Sequence, residues 1–130
     1  ISKHNFIRDV LQSSFRSAGY STSLSESAII PDRKLRPGDI VVRNWSRGRD
    51  MAFDVVVTSP MQQKFVQASA SLAPDEQEKA MVRAESRKYD KSELVCAQQG
   101  FDFAPLAFDT FGGCSSATGK ILAQLISGGG

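Results

Sequence analysis

The sequence predicts an α/β domain: a small mixed sheet with a central antiparallel hairpin, flanked by helices. Three observations predict it. An amphipathic stretch near the N-terminus has helical period, two β-branched runs flank a turn-forming segment, and a charged helical stretch is followed by a continuous apolar run of strand length. Alternation of helical and strand patterns in this order places helices against a sheet that mixes parallel and antiparallel pairs.

The elements follow in chain order. In SKHNFIRDVLQSSFRSAG the residues Phe6, Ile7, Val10, Leu11, Phe15 and Ala18 share one helical face, and Gly19 stops the helix. His4, near the start of that helix, reads as solvated surface and takes no role. YSTSLSESAIIP, residues 20–31, alternates weakly and predicts a strand; Pro31 and Pro37 then bracket a charged turn. DIVVR and MAFDVVVT read as two strands joined by NWSRGRD, whose Asn, Ser, Gly and Asp are turn formers. Pro60 ends the second strand. From Asp75 to about Lys91, acids in the first turn and bases in the last suit a helix dipole. FDFAPLAFDTF predicts a further strand and CSSATGKILAQLI a closing helix, with Ile121, Leu122, Leu125 and Ile126 as its buried stripe.

Composition narrows the function classes. The 130 residues are 41% hydrophobic and 23% charged, enough for one domain, residues 1–127, with 128–130 read as a boundary or linker. A net charge of +2 is too small to indicate nucleic-acid binding by itself. Two cysteines, Cys96 and Cys114, and one histidine provide neither a disulfide framework nor a zinc motif. No apolar stretch has the roughly 20 residues of a membrane span, so no membrane partner and an intracellular location are expected. The start at Ile1 and the end in SGGG suggest a piece of a longer polypeptide.

The chemistry centres on two aspartates. Asp39 opens one strand of the hairpin and Asp54 lies inside the other, with fourteen residues between them. Side chains alternate along a strand, so Phe53, Val55 and Val57 share one face while Asp54 and Val56 share the other. A hairpin of this length sets the two carboxylates side by side, where their repulsion favours a bridging cation with hard-oxygen preference, such as magnesium. On the plainer reading Asp54 simply faces water from a one-sided sheet.

RPGD, then FDVVV, resembles the split acidic motif of the PD-(D/E)xK restriction-endonuclease-like nucleases, with Pro37 and Asp39 as its first part and Asp54 as its second. Gly38 stands between the proline and the aspartate, and Val56 occupies the position where the family's lysine usually falls. In RKYDK, Lys88 followed by Tyr89 resembles the displaced lysine of the endonuclease domains linked to reverse transcriptases in site-specific non-LTR retrotransposons, and FDFAPLAFDTFGG is similar to the strand that follows there. The resemblance covers about residues 35–112. It implies a restriction-endonuclease-like fold, Mg2+ (or Mn2+) held by Asp39, Asp54 and the main-chain carbonyl of Val55, and Lys88 acting on the attacking water or the phosphorane. It also implies DNA as substrate, other domains of a parent polyprotein such as a reverse transcriptase as partners, and a nuclear location.

Residues 32–49 carry six bases against two acids, a strip beside the proposed site that suits phosphate contacts. Arg36, Arg43, Arg47 and Arg49, with Tyr89, are the expected DNA contacts, whereas Trp45 reads better as packing than as a base-stacking ring. GGCSSATGKI imitates a phosphate loop but fails its spacing, with Ile121 where a metal-binding hydroxyl belongs. Ser115 and Ser116 have no neighbouring histidine to make either a nucleophile. The sequence therefore predicts a metal-dependent DNA endonuclease. The alternative is a catalytically inactive nuclease-fold domain that binds nucleic acid or protein, and a third reading is a structural domain whose acids face water.

Overall fold

The computed structural model describes residues 2–24, 38–59 and 74–127. Its elements are α1 (Lys3–Ser17), β1 (Thr22–Leu24), β2 (Ile40–Ser46), β3 (Arg49–Thr58), α2 (Pro74–Gln98), β4 (Phe101–Asp109) and α3 (Ser116–Ile126). The sheet runs β1-β2-β3-β4, with β1/β2 and β2/β3 antiparallel and β3/β4 parallel. This is the expected α/β architecture with a mixed four-stranded sheet and helices on both faces. Among the described residues no helix is long and apolar enough to cross a membrane.

One face of the sheet carries the main core. Leu11 and Phe15 of α1 and Leu125 of α3 pack on Ile40, Val42, Phe53, Val55, Ala104 and Leu106. Phe15 stacks on Phe53 at 5.3 Å between centroids, and Trp45 meets both rings edge-on. On the opposite face α2 lies over β3 and β4, burying Cys96 against Ala52 and Phe103. The central residues of β4 are covered from both sides, which is why its sequence is a continuous apolar run rather than an alternation.

Local chemistry sets the ends. Ser2 caps α1 by accepting from the Asn5 amide, and the helix closes in a Schellman motif in which the Tyr20 amide reaches Phe15 O and the Gly19 amide reaches Arg16 O. Gly19, at φ +96°, supplies the left-handed residue that motif needs. After β4, Asp109 Oδ1 accepts from the amides of Phe111 and Gly113. Those amides are thus committed to a side chain of the turn, in agreement with the rejected phosphate-loop reading. Ser115 caps α3, and its hydroxyl, with that of Thr118, binds the buried Glu85 carboxylate of α2.

Several expectations need correction. The hairpin strands continue through most of NWSRGRD, leaving only Arg47 and Gly48 in a tight turn, both at positive φ. Trp45 is therefore a strand residue: a register irregularity around Asn44 (φ 50°) returns its ring to the Ile40 and Val42 face, where it is buried. Helix α2 runs to Gln98 instead of ending near Lys91, because no glycine or proline interrupts it before Gly100 and Cys96 anchors its last turns. On α1, Phe6 and Val10 are exposed although they belong to the predicted apolar face; α1 contacts the sheet through Ile7, Leu11, Phe15 and Ala18. Ile126 of α3 is likewise exposed. Of the strand expected over residues 20–31, Thr22–Leu24 is observed and residues 25–31 lie outside the described residues, as do Pro31, Arg36, Pro37 and Pro60.

A candidate active site where the hairpin strands diverge

β2 and β3 pair Ile40 with Phe53, and Asp39 stands just before β2 with its carboxyl beside that of Asp54. The two carboxyls are close enough for each to shift the ionisation of the other. Asp39 is delivered by Gly38, which adopts φ +73° and lies so close to β3 that a Cβ would fall 2.7 Å from the Phe53 carbonyl oxygen. Only glycine fits this approach, which explains the residue standing between the proline and the aspartate. The Asp39 amide then donates to Phe53 O at 2.8 Å.

Past this point β2 no longer lines the β3 edge, and Asp39 takes its place. Asp39 Oδ2 accepts from the Val55 amide at 2.8 Å and from His4 Nε2 at 3.0 Å. An N–H and C=O of one strand residue point to the same edge, so the Val55 carbonyl shares the edge that Asp39 occupies. The Val55 side chain is buried in the opposite-face core, as strand alternation predicts.

Asp54 faces α2. Its Oδ2 lies 3.3 Å from Lys88 Nζ, with the Asp54 side chain 13% exposed and that of Lys88 32%. Burial, then the hydrogen bond and charge of Asp39, push the Asp54 carboxyl up to about 7, against the opposing pull of Lys88. Asp39 moves the other way. Burial would raise it, but hydrogen bonds from Asp54 and the Val55 amide, together with the His4 imidazole, hold it below the usual carboxylate range. The pair thus divides into an ionised Asp39 and an Asp54 that carries the shared proton into the neutral range. Behind Asp54 lies the buried Cys96, whose thiol is pushed up to about 11 by burial and by the Asp54 charge.

The structure brings Asp39, Asp54, Val55 and Lys88 together from β2, β3 and α2. It does not bring the arginines there. Arg43 pairs with Asp50 and stands over the Phe101 ring, and Arg49 pairs with Asp102, all at the turn end of the hairpin. Arg49 is five residues along β3 from Asp54, about 17 Å at the usual strand rise. Arg47 is exposed at the turn, and Arg36 lies outside the described residues. The Tyr89 ring packs edge-on against Phe103 at 5.6 Å. His4 is the residue that sequence reasoning missed: nothing local marks it, because its contact with Asp39 exists only once the start of α1 is folded against the end of β2.

Two carboxylates on adjoining strands, with a backbone carbonyl on the same edge, form a hard-oxygen set suited to magnesium or manganese. Among the described residues no group of three or more His, Cys, Asp or Glu side chains is gathered to hold a metal ion, so any such ion relies on the two aspartates and on backbone or solvent oxygens. Comparison of the chain with protein-family models, with curated proteins and with solved structures finds no match.

Proposed function

We propose that the chain is a Mg2+- or Mn2+-dependent DNA endonuclease of restriction-endonuclease-like fold, one domain of a retroelement-type polyprotein that includes a reverse transcriptase and acts in the nucleus. The observation that carries this reading is the cross-strand Asp39 and Asp54 pair with Lys88 on its rim. A solvent-facing strand aspartate would have no reason to be buried against a second carboxyl and a lysine from another element.

The roles follow from position. Asp39, Asp54 and the Val55 carbonyl would hold the cation, which when bound supplies Lewis acidity toward the phosphate and a more acidic water. A bound cation would favour the charged form of Asp54, whose carboxyl is raised to about 7 in its absence. Lys88, reaching Asp54 from α2 rather than from the strand position held by Val56, orients the water or neutralises charge on the phosphorane. Arg47, exposed at the hairpin turn, offers a phosphate contact.

Nicking of supercoiled plasmid tests the proposal. The parent chain should nick with Mg2+ or Mn2+ and not with EDTA; Asp54→Asn should abolish nicking and Lys88→Ala should slow it by about 100- to 1,000-fold, both remaining folded. DNA retention on a gel without nicking by folded parent chain would overturn the enzyme and assign the inactive binding module instead.

A further inference from the structure

We propose that His4 is a positioning residue of the carboxylate site: by donating to Asp39 it fixes the geometry in which that carboxylate meets a divalent cation. The inference rests on the metal reading above. It brings α1, which lies outside the stretch that resembles a nuclease, into the site.

The imidazole is held at both ring nitrogens. Nδ1 lies 3.1 Å from Asn5 Oδ1, in the first turn of α1, and Nε2 lies 3.0 Å from Asp39 Oδ2. A carboxylate oxygen accepts, so in this contact the imidazole Nε2 is the donor. The helix start that carries His4 is itself fixed, by the Ser2 cap and by Lys3 Nζ on the Thr110 carbonyl at the end of β4.

Two donors from different elements therefore converge on one oxygen, the Val55 amide from β3 and the His4 imidazole from α1. Asp39 follows a glycine at positive φ, so these two bonds, and not a strand ladder, determine where its carboxylate points. Both bonds fall on Oδ2, which leaves the remaining lone pairs of Asp39 for Asp54 or for a cation. Donors of this kind orient ligating carboxylates, and removing one typically lowers metal affinity 10- to 100-fold. The His4 side chain is 37% exposed, and ion pairs so open to water add little to folding. Its effect should thus appear in metal binding rather than in stability.

Calorimetric titration of Mg2+ and Mn2+ into the parent chain, His4→Ala and His4→Gln tests this, with urea unfolding in EDTA alongside. The expected result is a 10- to 100-fold weaker affinity for both ions in His4→Ala, an unchanged unfolding midpoint, and partial recovery in His4→Gln, whose amide again donates. Equal affinity in His4→Ala and parent would overturn the inference while leaving the metal site standing. So would a loss confined to Mn2+, which would make the nitrogen a direct ligand, or a matching fall in the unfolding midpoint. A parent chain that binds neither ion would overturn the metal reading itself, and the inference with it.

Discussion

Replacing Asp54 with asparagine should make the metal-free protein more stable at alkaline pH, not less. Asparagine has the shape of the protonated acid and can still donate to Asp39, but it never ionises. In the parent, the Asp54 carboxyl is raised from 3.8 to about 7 on folding, by burial and by Asp39. A raised carboxyl binds its proton more tightly in the folded chain, so its contribution to stability is complete below the unfolded value and is lost as pH rises through the folded one. Asp39, lowered on folding, contributes in the opposite sense and only toward acid, so it does not mask the trend above pH 4. Between about pH 5 and pH 8, roughly two pH units separate release of the proton by the unfolded and folded chains, which at ~1.4 kcal/mol per unit is on the order of 3 kcal/mol. Urea unfolding followed by circular dichroism in EDTA should find the lead of Asp54→Asn over the parent growing by a few kcal/mol between pH 5 and pH 8. A stability difference that stays constant with pH, or a parent that gains on the variant toward pH 8, would refute the buried proton-sharing pair.

Three other outcomes are expected. Gly38→Ala sets a side chain at φ +73° with its Cβ 2.7 Å from the Phe53 carbonyl oxygen, and should cost about 1–3 kcal/mol in urea unfolding while weakening metal binding by displacing Asp39. Lys88→Ala should retain metal affinity by calorimetry but slow plasmid nicking by about 100- to 1,000-fold, the usual effect of removing one electrostatic stabiliser of a transition state. Arg47→Ala should lower DNA affinity and reduce the slope of log affinity against log salt by about one. Arg43→Ala and Arg49→Ala should leave that slope unchanged, since both arginines already neutralise acids of the hairpin.

Much of this organisation was legible in the chain because it rests on short-range rules. The period of α1, the turn formers between the hairpin strands and the alternation around Asp54 each act within about ten residues, and the two-sided burial of β4 shows as an unbroken apolar run. The opposition of Asp39 and Asp54 followed from the hairpin, and the proximity of Lys88 came through resemblance alone. What escaped depends on tertiary context. That Trp45 packs was anticipated, but not that it does so from within a strand made irregular at Asn44. Phe6 and Val10 satisfy helical period yet stay exposed, while Leu11 and Phe15 are buried against the sheet. The basic strip looked contiguous with the acidic pair in sequence, but its described arginines, Arg43, Arg47 and Arg49, lie at the turn end of the hairpin, and two of them are engaged by Asp50 and Asp102. His4 met Asp39 through a contact spanning 35 positions, which no periodicity encodes.

If Asp39 and Asp54 share a divalent cation, thermal unfolding at about pH 8 in EDTA, Mg2+ or Mn2+ will register it. At an ion concentration 100 times the dissociation constant, binding to the folded chain alone stabilises it by about 2.7 kcal/mol. The parent should melt several degrees higher with either ion, and the Asp39→Asn, Asp54→Asn double variant should not. Identical melting of the parent in EDTA and in either ion would contradict a shared cation.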